Sequence, residues 1–459
     1  MPAGRFVTFR RKGDDAGRRR WNAAQTARAA CMLAFLLGVL ARSPAHAQYV
    51  QSLFPVGVPG YNAEGGVTVL SRLRSSYDAE PVKVGDFDIR PEIDESASYD
   101  SNVQGGGGGS GSSVAVSHAS LSLDSNWARD AIGASVSVDD SLYGELPVDN
   151  HLDWSAALGG SFTLGEGDVT AGYAHLSEHE LGSQFGALAS SNAVPYSVDD
   201  IRASATQVAG RFSFTPDFDL QRFKFGTAVL GGLRIDQSYD DRTLTEAGLT
   251  TRFDLGSDRG LVLVLQADQT RYPKTPRGVI NEGSSGVIAL GGIDYQATGV
   301  FRYRLLVGVE TRSFTAAAYG SQTAPVTEAS VIWTPTALTT VTDTVSREIE
   351  SPATANAGDY SYLANSFIVD HELTRNFLLQ ARATLQQADY LNQGSQDSIA
   401  LGFSATWLVS KRFRFIASYN YNVTSSPPAP LDSAARRSAI PLAGGFTTNV
   451  FGVTLRITL

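Results

Sequence analysis

After residue 86, apolar side chains recur at every second place in segment after segment, and the rhythm runs to the last residue. In FGVTLRITL, Phe451, Val453, Leu455, Ile457 and Leu459 alternate with Gly452, Thr454, Arg456 and Thr458. A period of two is the period of a β-strand with one apolar and one polar face. FRYRLLVGVE puts Phe301, Tyr303, Leu305, Val307 and Val309 against Arg302, Arg304, Gly308 and Glu310, and FRFIASYNYN repeats the arrangement. Strands of about 9–11 residues cross a bilayer at barrel tilt, and these segments reach that length. An amphipathic strand at the terminus has a physical reason in lipid. Each unpaired backbone group there costs several kcal/mol, so the last strand must close on the first.

The connections alternate in length. WARDA (127–131), LGEGDV (164–169), TPDFDL (215–220), GSDRG (256–260), ATGV (297–300), TPTA (334–337), LTRN (373–376) and SKR (410–412) read as tight turns. Between them lie NVQGGGGGSGSS, the stretch from Leu181 to Asp200, YPKTPRGVINEGSSG, ESPATANAGD and the residues from Ser425 to Gly445. Short turns on one side and long loops on the other are the pattern of hairpins threading an outer membrane. The segments predict an all-β fold, a transmembrane antiparallel up-and-down barrel of about eighteen strands. TPDFDL would separate strands at 200–214 and 221–237.

The N-terminus differs. A basic stretch precedes the apolar run CMLAFLLGVLA, too short to span a bilayer, and then SPAHAQ with Ala45 and Ala47 at an A-x-A site. Residues 1–47 read as a secretory signal peptide cleaved near Ala47, which predicts an outer-membrane location. Cys31, the only cysteine, opens the apolar run, against a lipoprotein anchor. Residues 1–47 hold nine of the 37 Lys and Arg and two of the 46 acids, leaving the remainder 16 charges negative. That argues against a nucleic-acid partner. Residues 48–85 break the alternation and read as an irregular periplasmic arm, with the barrel at 86–459; the arm could tuck into the barrel mouth.

Charges in phase with the polar face are candidate lumen residues: Arg222, Lys224, Arg302, Arg304, Glu310, Arg312, Arg382, Arg414, Arg456, and on the first strand Asp86, Asp88, Glu92 and Asp94. On the lipid face Arg or Lys costs about 2–4 kcal/mol near the midplane. Two readings stand: an ion-pair network in a wet interior, or a basic strip guiding an anionic solute. Trp127, Trp154, Tyr173, Tyr295, Trp333, Tyr390 and Trp407 read as interface girdle. HLSEH (175–179) matches a zinc-peptidase pattern, but on a strand the two histidines lie roughly 13 Å apart at about 3.3 Å per residue. GGGGGSGSS has no helix after it for a nucleotide, and no G-x-S-x-G elbow occurs. Neither an enzyme, a metal site nor a cofactor is expected.

The wording of FDIRPEIDESASYDSNV, WTPTALTTVTDTVSREIE and FIVDHELTRNFLLQARATLQQADY resembles the bacterial outer-membrane family called putative beta-barrel porin 2. The resemblance covers the chain from about residue 66, and its motifs, Trp333-Thr334-Pro335 and Asp370-His371-Glu372-Leu373, mark turns and strands. It implies an outer-membrane channel, with export of an exopolysaccharide or other polar solute and a periplasmic polysaccharide export protein as partner. Outer-membrane lipid and the barrel assembly machinery are the other partners expected. Two alternatives remain: a general diffusion porin, with a loop such as 181–200 or 425–445 folded inward, and a non-transporting envelope scaffold.

Overall fold

The computed structural model describes residues 54–55, 57–61, 67–275, 281–295, 300–317, 320–350, 360–390, 394–427 and 443–459. These lie in one unit, Ala41–Leu459, and the segment read as a signal peptide lies outside them. Strands β1 to β7 are Val82–Val84, Phe87–Asp100, Ser112–Ser125, Ala131–Tyr143, His151–Leu164, Gly167–Glu180 and Val194–Ala209. Strands β8 to β14 are Phe212–Phe225, Thr227–Leu230, Leu233–Asp236, Arg242–Gly256, Arg259–Arg271, Ser284–Tyr295 and Phe301–Phe314. Strands β15 to β21 are Ser321–Thr336, Thr339–Glu350, Tyr360–Thr374, Phe377–Tyr390, Gly394–Leu408, Phe413–Thr424 and Phe446–Thr458. The one helical element among the described residues is a 3-10 turn, Pro147–Asp149.

Eighteen of these strands, β2–β8 and β11–β21, pair antiparallel with their neighbours, and β2 pairs with β21 from Glu92↔Thr458 to Asp100↔Val450. The sheet is therefore a closed barrel without a free edge, as a structure in hydrocarbon must be. Strand β1 extends the β2 edge by three residues, and β9 and β10 form a separate hairpin. Exposed apolar side chains cover the outside, among them Leu261, Leu263 and Leu265 on β12, Val307 and Val309 on β14, and Phe451 and Val453 on β21. Alternation thus turns one face of each strand to lipid and the other to a polar interior.

The short turns lie on the side where β2 starts and β21 ends, which in outer-membrane barrels is periplasmic. Two connections on the opposite side, 315–320 and 391–393, are also short. The turn expected at 215–220 is not there. Strand β8 runs through it, and the hairpin turns at Gly210 and Arg211, with Gly210 at φ 62°. Pro216 and two aspartates resemble a turn because each is common in one. Here Pro216 lies on the exposed face, where the β7–β8 ladder lapses between Ser204↔Asp217 and Gln207↔Phe214, while Asp217 and Asp219 take the alternate, inward phase.

Candidate functional site

The arm before β1 enters the barrel. Gly133, Gly159 and Gly172 stand directly opposite one another on β4, β5 and β6. With no side chains they leave a trough on the inner wall, filled by the arm. A Cβ on Gly159 would come 1.9 Å from the Pro59 carbonyl oxygen, and one on Gly172 would come 2.7 Å from the Tyr61 ring. Around the trough, Phe54, Val58 and Tyr61 are buried against Ala157, Ala174, Leu176, Tyr196, Val198 and Phe223. The row of glycines continues into Arg202 on β7 and Asp219 on β8. Arg202 carries its guanidinium 4.5 Å from the Phe54 ring centre and 4.9 Å from that of Tyr61. It also pairs with Asp200 and Asp219, both at 3.0 Å. The Tyr61 hydroxyl donates to Asp200 Oδ1 at 2.8 Å; burial, then the Asp200 charge, pushes that hydroxyl far above the usual tyrosine range.

Further along, the arm lies on the periplasmic rim. The Val69 amide donates to Thr340 Oγ1 at 3.1 Å, and Glu372 Oε2 accepts from Arg72 at 2.6 Å and Arg74 at 3.0 Å. Asp78 pairs with Arg414 at 2.8 Å and Glu80 with Lys411 at 2.7 Å. Exposed pairs such as the last add little individually. Glu372 differs, because two guanidiniums share a largely buried carboxylate.

At the other end, residues 181–193, between β6 and β7, fold inward. Phe185 packs on Tyr362, 6.0 Å between ring centres, within a buried cluster of Tyr360, Tyr362, Ala388 and Tyr390 on β17 and β18. Those strands stand eight to ten places from β6 and β7 in either direction around the barrel, so the loop reaches the opposite wall. The Ala443 amide donates to the Ala187 carbonyl at 2.8 Å, tying the last long connection to it. Beneath Gln184 of this loop lies a cavity of about 120 Å³ lined by Glu180, Glu246, Asp268, Glu310, Glu348 and Glu350, against Arg242 and Arg312. Arg312 is held by Asp268 at 2.9 Å and Glu310 at 2.8 Å, and Arg242 lies over the Phe223 ring at 4.8 Å. Carboxylates dominate this narrow zone.

The structure places the expected lumen residues unevenly. Arg302 and Arg304 share the inward phase with the fully buried Leu306 and Glu310, opposite to the exposed Val307 and Val309. Arg304 bonds Glu328 at 2.6 Å. Arg414 reaches the arm through Asp78, and Arg382 lies in phase with Gln380, which bonds Asp370. Arg456 joins Asp94 at 2.6 Å and Glu92 at 3.3 Å across the β21–β2 seam, and Asp88 lies 3.7 Å from Arg90. Asp86 instead sits in the turn between β1 and β2, exposed, its carbonyl accepting from Asn126.

Arg222 and Lys224 are corrected. They are exposed and in phase with Phe212, Phe214 and Phe218 on the outside of β8, while Phe223 faces inward to the arm. The usual assignment of faces inverts here because the arm supplies an apolar partner inside the barrel. Tyr390 is likewise in the interior cluster and not in the girdle. His175 and His179 bind different carboxylates, Asp199 at 2.8 Å and Asp153 at 2.7 Å. Sequence reading missed the glycine trough, Arg202 and Phe185; glycines at one phase of three adjacent strands were the available signal.

A closed eighteen-strand barrel with an apolar outside and a polar, partly filled inside defines an outer-membrane porin-like channel. The chain matches the putative beta-barrel porin 2 family over residues 74–442, and it belongs to that family. Among solved structures it is similar to Acinetobacter baumannii OccAB3, at 9% identity over 82% of this chain and 100% of that one, TM-score 0.42. It is similar also to Pseudomonas aeruginosa OccK9, at 10% identity over 82% and 99%, TM-score 0.43. A bacterial polysaccharide outer membrane secretin follows at 11% identity over 82% and 99%, TM-score 0.34. Likeness at this level carries no functional weight. No curated protein matches the sequence.

Proposed function

We propose that the protein is a diffusion porin for small polar solutes, with a preference for cations. The observation that carries this reading is the inward loop 181–193, whose Phe185 meets Tyr362 on the far wall. A loop folded across the lumen sets a size limit, and the carboxylates beneath it concentrate cations and disfavour anions, as charged rings do in other pores. In this reading the chain is exported by its first 47 residues, inserted by the barrel assembly machinery, and works without a cofactor. Purified protein in liposomes is expected to admit small neutral sugars and to exclude oligosaccharides, measured as osmotic swelling. Equal swelling rates for mono- and hexasaccharides would contradict it.

Export of an exopolysaccharide is the second reading; the arm at the periplasmic rim supports it, where Arg72 and Glu80 offer a surface to a periplasmic export protein. It predicts loss of surface polymer in a deletion strain. Unchanged polymer leaves the diffusion porin.

A further inference from the structure

We infer that the outer wall around β6–β12 carries a binding site for a phosphorylated glycolipid headgroup of the outer leaflet. The observation is a polar row where the membrane face should be apolar. His175, Asp199, Arg222, Thr243 and Arg271 stand opposite one another on β6, β7, β8, β11 and β12. Lys224 lies one outward position higher on β8. All belong to the outward phase: Tyr173 and Ile201, two residues below His175 and Asp199, are exposed apolar side chains, as are Leu261, Leu263 and Leu265 below Arg271.

The height of the row selects its partner. Arg222 is ten residues above the periplasmic turn residue Phe212. At about 3.3 Å per residue and a tilt near 40°, ten residues rise about 25 Å, which equals the height of the apolar band of such barrels. The row therefore sits at the boundary between acyl chains and headgroups on the side of the long loops. Neighbouring strands are about 4.8 Å apart, so the row is about 19 Å long, the scale of a headgroup bearing two phosphates.

Its charges are available. Asp199 is occupied on its β6 side, accepting from the Tyr173 hydroxyl at 2.9 Å and bonding His175. Arg222 and Lys224 make no hydrogen bond or ion pair among the described residues, and Arg271 bonds the neutral Gln269. Guanidinium groups match phosphate oxygens in pairs, and Lys adds a point charge. Elsewhere on the same outer face, β2 and β4 present the exposed acids Glu95 and Asp140, and β16 carries Arg347 opposite Thr327 and Val307.

The test uses the whole protein purified in detergent and titrated with bisphosphorylated lipid A, followed by native mass spectrometry. Wild type is expected to bind it about tenfold or more tightly than lipid A stripped of phosphate. Arg222→Ser/Lys224→Ser/Arg271→Ser should lose that difference, Arg222→Lys should keep most of it, and Glu95→Gln/Asp140→Asn should not weaken it. Retained heat-modifiable migration on gels establishes that each variant is folded. Equal binding of phosphorylated and stripped lipid by wild type, a triple variant that binds like wild type, or displacement of the lipid by millimolar inorganic phosphate would each overturn the inference. The wild-type comparison stands even if the triple variant does not fold, and none of these outcomes depends on whether the lumen conducts.

Discussion

The Tyr61 hydroxyl donates to Asp200 Oδ1 at 2.8 Å, joining the arm to the inner wall of the barrel. Asp200 is fully buried and is itself held by Arg202, so this bond lies inside the packing of the plug and not at its edge. Tyr61→Phe keeps the ring over Arg202 and removes one hydrogen bond to a charged acceptor, worth about 1.5–3 kcal/mol. The arm should then be released more often, with faster tryptic cleavage at Arg72 and Arg74 as the readout. Cleavage at the wild-type rate would count against a seated arm.

Gly159→Val tests the trough. Its Cβ would overlap the Pro59 carbonyl, where overpacking costs about 1–3 kcal/mol, roughly a 5- to 150-fold shift away from the docked arm. The barrel itself should persist, because the new side chain faces water once the arm has left. Unitary conductance in a planar bilayer should rise. A conductance equal to wild type would mean that the arm does not restrict the pore.

Arg456→Met tests the seam. It leaves the buried Asp94 without its guanidinium where β21 meets β2, at a cost of about 1.5–3 kcal/mol. The urea midpoint for loss of the folded gel band should fall. An unchanged midpoint would show that backbone pairing alone holds the closure.

Asp240, in the turn after β10, gives a pH dependence. Burial raises its carboxyl to about 8; Arg242 opposes this, and Glu180 and Asp241 reinforce it. Because the ordered turn holds the proton more tightly than the disordered chain, its stabilisation is fully present below the ordinary aspartate range and is lost as pH rises through about 8. The amides of Gln237 and Asp240, which donate to the carbonyls of Gly226 and Gln237, should lose protection across that interval. Hydrogen exchange corrected for its intrinsic pH dependence measures this. Protection constant from pH 6 to 9 would refute it.

Most of the barrel was legible in the sequence because a strand between lipid and water has no choice but to alternate, and FRYRLLVGVE and FGVTLRITL state that alternation residue by residue. What escaped depends on contacts far apart in the chain. Nothing near Phe223 says that Phe54 and Tyr61 await it inside, so Arg222 and Lys224 were assigned to the lumen and lie outside. Pro216 was read as a turn for the same reason, since local sequence does not reveal which face of the strand it occupies. Tyr362 and Phe185 meet only because a loop crosses the barrel.

The most direct test of a cation-preferring lumen, narrowed by the inward loop and by the seated arm, is planar-bilayer recording of wild type beside Phe54→Ala/Tyr61→Ala under a KCl gradient. Wild type should show a small cation-preferring conductance and the variant a larger one. Identical conductance in the two, or none in either, would contradict it.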